Sequence, residues 1–310
     1  MKRVLILLGP TGVGKTGASI LLAKALRTEI ISADSMQIYR GMDIGTAKPT
    51  ETEREKTRHH MVDIVDPSGS FSAGRYIEEI VPIIRGLHEK GRIPLIVGGT
   101  GLYIKAVTRG IFGGPSADWD LREELLCLEK KRRGSLYARL KEIDPRAADR
   151  IERNDIRRVL RALEVCLKSR EKMSLLQERL TKPLPYDFIR IGLTRERKEL
   201  YRIIDDRVDA MLRRGLVEEV GRLLDLEPDR TALQAIGYKE LIRYLDGEIT
   251  LEEATGLIKR NTRRYAKRQL TWFRKEEGIT WVDITGIYES SAIFGAVKVV
   301  LSRMHPETLG

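Results

Sequence analysis

The sequence has few cysteines and no long apolar stretch. Cys127 and Cys166 are its only two cysteines, which excludes a disulfide-stapled scaffold and a zinc site built from several cysteines. No segment approaches the ~20 apolar residues that cross a bilayer. The apolar run from Val4 to Leu8 is too short for a secretory signal. We therefore expect a soluble, cytoplasmic protein that does not associate with a membrane.

Acidic residues are outnumbered by basic ones. The chain has 56 Lys and Arg against 45 Asp and Glu, a net charge of +11. An apolar fraction of 42% is too high for a disordered chain, so the charge belongs to a folded protein. A basic surplus of this size favours a polyanionic partner without identifying it.

Short apolar runs alternate with helical patterns, except in one central segment. The predicted strands are 3–8, 29–33, 61–65, 93–97, 188–193 and 280–284. The predicted helices outside the central segment are 16–26, 75–90, 196–214, 216–225, 232–246 and 251–275. Alternation of this kind indicates βαβ units and a parallel sheet. Because 118–180 contains no strand pattern, we expect an α/β core of residues 1–117 and 186–310 with a helical insertion at 118–185.

Residues 9–16 (GPTGVGKT) fit the phosphate-loop pattern G-x-x-x-x-G-K-[ST], between an apolar strand and a helix. Glycines let backbone N–H groups surround an oxyanion, and the helix N-terminus adds partial positive charge. Lys15 can neutralise phosphate charge, and the Thr16 hydroxyl can ligate Mg²⁺. The context disfavours a chance glycine-rich turn and predicts a P-loop NTPase-like core. The predicted phosphate ligands are Gly9, Pro10, Thr11, Gly12, Val13, Gly14, Lys15 and Thr16.

The sequence lacks a clear acid for nucleotide hydrolysis. Such enzymes hold Mg²⁺ with an acid at the end of an apolar strand, but strand 93–97 runs into Gly98-Gly99-Thr100-Gly101. Asp63 and Asp66 are weaker candidates. We therefore expect a phosphate-bearing substrate that is not hydrolysed as ATP is.

Asp34 ends the second predicted strand. The carboxyl ends of strands face the ligand crevice in open α/β sheets, so Asp34 should face the phosphate loop. A carboxylate there can act as a general base. A strand-end aspartate that caps the next helix is an equally good interpretation of the local sequence.

Residues 257–275 contain eight basic side chains and no acidic one. Lys259, Arg263 and Lys267 form one stripe at helical spacing, and Arg260, Arg264 and Arg268 form a second. Solvated helix faces normally mix charges of both signs. A single-sign face beside Tyr265, Trp272 and Phe273 therefore favours a nucleic-acid backbone.

Arg157, Arg158 and Arg161 form a second basic cluster that could hold adjacent phosphates. Ion pairing with Asp155 and Glu164 on the helix surface is the better interpretation of the local sequence. His59-His60 lacks a third ligand at metal spacing and is interpreted as a surface pair.

Six segments occur in order along the chain. They are GPTGVGKT (9–16), DSMQIYRGMDIGTAKP (34–49), VGGTGLYIKA (97–106), NDIRRVLRALEV (154–165), AIGYKE (235–240) and KRQLTWFR (267–274). In this combination the chain resembles the bacterial tRNA dimethylallyltransferases, also called tRNA isopentenyltransferases, over residues 3–285. The resemblance implies transfer of a dimethylallyl group from dimethylallyl diphosphate to the N6 amine of the adenosine 3′ of the anticodon. Diphosphate leaves, and Mg²⁺ assists.

The resemblance also implies roles for individual residues. Asp34 is expected to take the proton from the amine, Thr100 to lie near the reacting amine, and Lys15 to assist at the diphosphate. Arg207 is expected to bind the diphosphate as well. The helical insertion is expected to bind the anticodon arm of tRNA, and the protein to be a monomer. The expected tRNA-contacting residues are Asp34, Ser35, Met36, Gln37, Thr100, Arg122, Arg157, Arg158, Val159, Leu160, Arg161, Gly237, Tyr238, Lys267, Arg268, Gln269, Trp272 and Arg274.

Two other functions use the same phosphate loop. A small-molecule or nucleotide kinase shares the loop and an aspartate after the second strand, but it does not explain the acid-free segment 257–275. An RNA-binding ATP switch conflicts with the missing hydrolytic acid.

Overall fold

The computed structural model describes residues 1–308 and divides the chain into two compact units. The sheet unit comprises Met1–Ile104 and the chain from Pro185 onward, and the helical unit comprises Lys105–Leu184. In chain order the helices are α1 (Lys15–Ala25), α2 (Glu51–Lys56), α3 (Ala73–Glu89), α4 (Gly101–Arg109), α5 (Trp119–Lys131), α6 (Ser135–Ile143), α7 (Pro145–Ala148), α8 (Ile156–Ser169), α9 (Met173–Leu180), α10 (Arg197–Arg213), α11 (Leu216–Leu224), α12 (Arg230–Leu233), α13 (Tyr238–Leu245), α14 (Leu251–Phe273) and α15 (Ser290–Met304). Within residues 1–308, every helix is too short or too polar to span a bilayer.

The sheet unit is built on a six-stranded parallel sheet. Its strands are β1 (Arg3–Leu8), β2 (Ile30–Ala33), β3 (His59–His60), β4 (Leu95–Gly98), β5 (Asp187–Thr194) and β6 (Ile279–Asp283). They lie in the order β3-β2-β4-β1-β5-β6, and all pairs are parallel. This confirms the predicted parallel-sheet core. The central position of β1 also explains its continuous apolar sequence, because both faces of a central parallel strand are buried.

The core places the start of α1 at one edge of the sheet. Leu5 and Leu7 of β1 are fully buried, in one cluster with Leu22 of α1 and Val297 of α15. Helix α15 packs along α1, so the C-terminal part of the chain supports the helix that follows the phosphate loop. Burying each such side chain contributes about 1.5–3 kcal/mol, which fixes the loop to a rigid base.

The prediction of a strand at 61–65 is wrong. The third strand is His59–His60, paired with Ile30 and Ile31 of β2. The chain leaves the extended conformation directly afterwards, because Met61 and Asp63 have φ values of +63° and +56°. The two histidines are half-buried in this strand, so their interpretation as a surface pair is also wrong.

The predicted helix 232–246 is divided in two. Gly237 has a φ of +100°, which ends helical geometry and makes it the N-cap of α13. Helices α2, α4 and α15 were not predicted, whereas α14 closely follows the prediction for 251–275.

The helical unit has its own apolar core. Leu125, Leu136, Leu140, Val159 and Leu163 from α5, α6 and α8 are fully or almost fully buried in it. Residues 119–180 form helices and no strand, as predicted.

Candidate active site

A cavity of about 260 Å³ lies at the carboxyl ends of β1, β2 and β4. This is the edge at which open parallel sheets bind ligands. Lys15 and Thr16 line one side, Asp34 and Gln37 a second, and Arg207 a third. The phosphate loop and the strand-end aspartate therefore face one cavity, as the strand pattern predicts.

The phosphate loop leaves its helix N-terminus open to a ligand. Gly14 is the N-cap of α1, with φ of +104° and no side chain to cap the helix. Gly9 has φ of +151°, and a Cβ there would lie 2.7 Å from the carbonyl oxygen of Leu193. Glycine is therefore required at Gly9 by both conformation and space. Uncapped N–H groups at a helix N-terminus are suited to bind an anion.

Lys15 is a half-buried cation at the cavity wall. Its Nζ donates to the carbonyl oxygens of Gly9 at 2.9 Å and Pro10 at 2.8 Å. Burial lowers the pKa of Lys15 to about 8, nearby Asp34 raises it in part, and Arg207 lowers it further. The hydrogen-bond acceptors of this ammonium group are neutral carbonyl oxygens, and a bound diphosphate would give it a negatively charged partner.

Arg207 of α10 faces the same cavity. Burial lowers the pKa of its guanidinium, and the charge of Asp34 partly offsets this. Since an arginine remains protonated in proteins, Lys15 and Arg207 form a cationic pair around a space that contains one carboxylate.

Asp34 directly follows β2, and its carboxylate also shapes the next turn. Oδ1 accepts hydrogen bonds from the backbone N–H of Met36 at 2.9 Å and of Gln37 at 3.4 Å. This is the capping role of the alternative interpretation, made to a turn rather than to a helix. Both bonds use Oδ1, so they are compatible with a chemical role for Oδ2.

Thr100 joins the end of β4 to the segment after Asp34. Its Oγ1 accepts from the Ser35 N–H at 3.0 Å, and its own N–H donates to the Ala33 carbonyl at 3.1 Å. Thr100 therefore lies beside the segment that contains Asp34.

Gln269 of α14 bridges two loops of the site. Its Oε1 accepts from the Thr11 N–H at 2.9 Å, and its Nε2 donates to the Gly99 carbonyl at 2.8 Å. The side chain is buried, and a Cβ at Gly99 would lie 2.3 Å from Nε2. In this structure Gln269 fixes the phosphate loop against the β4 loop, a role that its sequence context did not reveal.

Tyr265 is a site residue that sequence reasoning missed. Its hydroxyl hydrogen-bonds the side chains of Thr100 and Gln269, and burial raises the pKa of the phenol, which therefore stays protonated. Tyr265 lies four residues before Gln269, so helical spacing places both on one face. That spacing was the available signal.

A family model described as IPP transferase matches residues 37–276. The chain belongs to the IPP transferase family. It is 54% identical to a tRNA dimethylallyltransferase of Thermodesulfovibrio yellowstonii, covering 98% of both chains. It is 48% identical to one of Syntrophobacter fumaroxidans, covering 90% of this chain and 83% of that one.

Solved structures show the same likeness. A tRNA isopentenylpyrophosphate transferase of Bacillus halodurans has 45% identity and a TM-score of 0.71, with 98% of both chains covered. A eukaryotic dimethylallyltransferase acting on tRNA has 31% identity and a TM-score of 0.80, with 98% of this chain and 80% of that chain covered. The predicted resemblance and the P-loop NTPase-like fold are thereby confirmed.

In this IPP transferase, the two weaker acid candidates lie outside the cavity lining. Asp63 accepts from Lys48 at 2.5 Å and Arg54 at 2.6 Å, and Asp66 pairs with Arg40 at 2.7 Å. Both carboxylates therefore form ion pairs around the loop that follows β2.

Helix α14 carries its basic residues in two different environments. Lys259 pairs with Asp209 at 2.6 Å and Arg263 with Asp205 at 2.5 Å, both on α10. The charged side chains of 257–275 are all of one sign, but acids of a neighbouring helix pair with Lys259 and Arg263 of the first stripe. The exposed basic residues, here called the basic patch, are Arg260, Arg264, Lys267, Arg268, Arg274 and Lys275.

Three of the four arginines in the helical unit that were expected to contact tRNA form ion pairs. Glu164 is fully buried and accepts from Arg122 at 2.9 Å to each oxygen, and also from Arg161. Arg158 pairs with Asp155 at 3.1 Å, whereas Arg157 is exposed. The structure therefore confirms the ion-pair interpretation for Arg158 and Arg161.

Several expected tRNA-contacting residues are buried. Val159 and Leu160 lie in the core of the helical unit, and Tyr238 is fully buried in the sheet unit. Trp272 packs on Gly101, where a Cβ would lie 2.6 Å from its ring. The other expected residues are exposed or half-buried, and they are Asp34, Ser35, Met36, Gln37, Thr100, Arg122, Arg157, Arg158, Arg161, Lys267, Arg268 and Arg274. Gln269 is buried between the two loops that it bridges. Gly237 is buried at the N-cap of α13.

Proposed function

We propose that this protein transfers the dimethylallyl group of dimethylallyl diphosphate to the N6 amine of the adenosine 3′ of the anticodon in tRNA. The observation that carries the proposal is the shared cavity, in which a phosphate loop with Lys15 and Arg207 faces the carboxylate of Asp34. Membership in the IPP transferase family supports the same activity and does not favour a kinase.

The donor end of the cavity is suited to a leaving diphosphate. The open N-terminus of α1, Lys15 and Arg207 each provide positive charge at positions lining the cavity. Bonds to these groups strengthen as the C1–O bond breaks, because the departing oxygen then takes the electron pair. Stabilising that developing charge is how such a site accelerates the reaction.

The acceptor end supplies a base. The lone pair of an adenine N6 amine is delocalised into the ring, which makes the amine a weak nucleophile. As N6 forms its bond to C1, Asp34 accepts the proton through Oδ2, the oxygen that its turn hydrogen bonds leave unused. General-base assistance of this kind contributes about 10²–10⁴-fold. The products are N6-dimethylallyl adenosine and diphosphate.

Mg²⁺ is the cofactor we propose. Within residues 1–308, no group of three or more His, Cys, Asp or Glu side chains is arranged to hold a metal ion. Mg²⁺ keeps several waters and binds mainly through substrate phosphates with one or two protein groups, so a single hydroxyl beside the phosphate loop suits it. Thr16 lines the cavity and would hold the ion, which when bound would neutralise charge on the diphosphate.

The tRNA partner is supported by the basic patch on α14. The patch is exposed, and its neighbour Trp272 packs on Gly101 next to Thr100, so the patch lies on the helix that borders the cavity. Lysines and arginines that neutralise RNA phosphates supply most non-specific affinity. We propose that the helical unit contacts the anticodon arm, through Arg157 among others. We also propose that the protein acts as a cytoplasmic monomer.

Mass spectrometry of tRNA nucleosides tests the proposed function. Unmodified tRNA is incubated with the protein and dimethylallyl diphosphate, or with ATP instead, and then digested. We expect a prenylated adenosine in the first reaction only, mapping to the fragment that contains the anticodon loop. Unmodified adenosine with dimethylallyl diphosphate, or a phosphorylated product with ATP, would contradict the proposal.

A further inference from the structure

Glu219 is a buried carboxylate that no catalytic step above uses. It lies on α11, and 3% of its surface is exposed. Oε2 accepts from the backbone N–H of Asp43 at 3.0 Å and of Ile44 at 2.7 Å, and Oε1 from that of Gly45 at 3.0 Å. Three successive amides directed at one carboxylate form a charge-assisted network that a neutral side chain cannot reproduce.

Tyr238 completes this network. Its hydroxyl donates to Oε1 of Glu219 at 2.6 Å in a fully buried environment. Burial, with Glu219 as a further cause, raises the pKa of Tyr238, so the phenol remains a donor. A Cβ at Gly45 would lie 2.5 Å from the Tyr238 ring, so only glycine fits against it. The AIGYKE segment thus contacts the segment 34–49 directly.

The segment held by Glu219 reaches the cavity within two residues. Thr46 and Ala47 line the cavity, and their carbonyls accept from Nε2 of Gln37 at 3.4 and 3.2 Å. The Gln37 N–H in turn contacts Oδ1 of Asp34 at 3.4 Å. Hydrogen bonds at both ends, joined by the backbone of residues 45–47 and by Gln37, therefore connect Glu219 to the proposed base.

A buried lysine holds the other end of the same segment. Nζ of Lys48 donates to the Tyr39 carbonyl at 2.7 Å and to Asp43 and Asp63 at 2.5 Å each. Its side chain is 1% exposed. The segment Met42–Lys48 is therefore fixed by a buried anion on one side and a buried cation on the other. Because the two charges belong to different residues, Glu219 can be replaced while Lys48 remains in place.

We infer that Glu219 is a positioning residue, which fixes residues 43–47 so that Gln37 and Asp34 are presented to the acceptor amine. We infer also that Tyr238 acts through Glu219 rather than by touching tRNA. This rests on the proposed function. Other residues, on the phosphate loop, form the proposed binding site for dimethylallyl diphosphate. The inference therefore predicts slower transfer to the amine with unchanged donor affinity.

The test compares Glu219→Gln, Tyr238→Phe and the control Glu218→Gln, which changes the exposed neighbour on the same helix. Single-turnover transfer at saturating donor and tRNA is expected to fall about tenfold or more in Glu219→Gln, since several bonds to a charged group are lost. Tyr238→Phe should lose about threefold, since one such bond is lost while the three amide bonds remain. The Kd for dimethylallyl diphosphate should stay within about twofold of the parent in all three variants, because the residues of the proposed donor-binding site are unchanged.

Hydrogen exchange provides a second readout that does not depend on activity. The amides of residues 43–45 should exchange faster in Glu219→Gln than in Glu218→Gln, while the amides of residues 11–16 stay unchanged. Parent-like transfer with parent-like exchange at residues 43–45 would overturn the inference. Donor affinity and transfer that fall together would also overturn it, because this is the signature of a general loss of folding. Absence of transfer by the parent protein would instead contradict the proposed function.

Discussion

The cations of the cavity and those of the basic patch differ in what surrounds them. Lys15 and Arg207 are half-buried around Asp34, and burial lowers the pKa of both. Arg264 and Arg268 of the patch are exposed on α14. Buried charges are screened little by salt, whereas exposed charges are screened strongly. Under the proposed function, the half-buried cations bind the diphosphate and the exposed cations bind tRNA phosphates.

The largest expected effect comes from removing a cavity cation. Lys15→Ala should abolish measurable turnover, because the leaving diphosphate loses a cation at the end of the phosphate loop. The measurement is steady-state transfer at saturating dimethylallyl diphosphate, with Lys24→Ala on the exposed face of α1 as the control. Normal turnover in Lys15→Ala would show that the donor does not bind at this loop.

Replacing the carboxylate should have the next largest effect. Asp34→Asn keeps the shape and the turn hydrogen bonds but cannot accept the proton, so the single-turnover rate should fall by about 10²-fold. Donor affinity should change little. A rate within a few-fold of the parent would leave Asp34 as a turn-capping residue only, because Asn is as good a cap as Asp.

The patch variants should change tRNA affinity and its dependence on salt. Arg264→Ala with Arg268→Ala should reduce the slope of log K against log salt by about two, roughly one for each lost phosphate contact. Lys259→Ala is the matched control, because Lys259 is already paired with Asp209. Equal salt slopes for the double variant and the parent would mean that the patch is an ordinary solvated face.

The smallest expected effect is a pH dependence of donor binding. Since the pKa of Lys15 in the free protein is about 8, the ammonium form is progressively lost as pH rises through 8. Donor affinity should fall about threefold to fourfold between pH 7 and 8.5, with uptake of a proton on binding. Calorimetry in buffers of different ionisation heat measures both effects. Lys15→Arg should remove them, and their persistence in that variant would assign the titration to another group.

The same burial affects stability in the opposite direction. A lysine whose folded pKa lies below its unfolded value of 10.5 binds fewer protons in the folded state at alkaline pH. The burial penalty of the charged form is therefore present below pH 8 and is relieved between about pH 8 and 10.5. Lys15 holds a destabilising charge that a bound diphosphate would compensate.

Local sequence was sufficient to locate the phosphate loop and Asp34. The loop 9–16 and Asp34 lie immediately after apolar strands, so strand ends and glycine spacing locate them. The helical character of 119–180 could also be predicted, because the apolar periodicity of a helix is a property of the local sequence alone.

Contacts between distant segments could not be read in this way. The Gln269 bridge joins residues 258 positions apart, and Asp205 neutralises Arg263 across 58 positions. The role of Glu219 could not be predicted for the same reason, since nothing near it in sequence indicates that the amides of residues 43–45 are its partners. The short β3 was misplaced because positive φ at Met61 and Asp63 overrides their apolar neighbourhood.

Calorimetric titration with dimethylallyl diphosphate tests the central claim most directly, that cavity cations hold the donor while patch cations hold tRNA. The titration is performed on Lys15→Ala and on the Arg264→Ala, Arg268→Ala double variant. We predict that the binding heat is lost in the first and that the second binds the donor as the parent does. Donor binding that survives in Lys15→Ala, or that is lost in the double variant, would contradict this account.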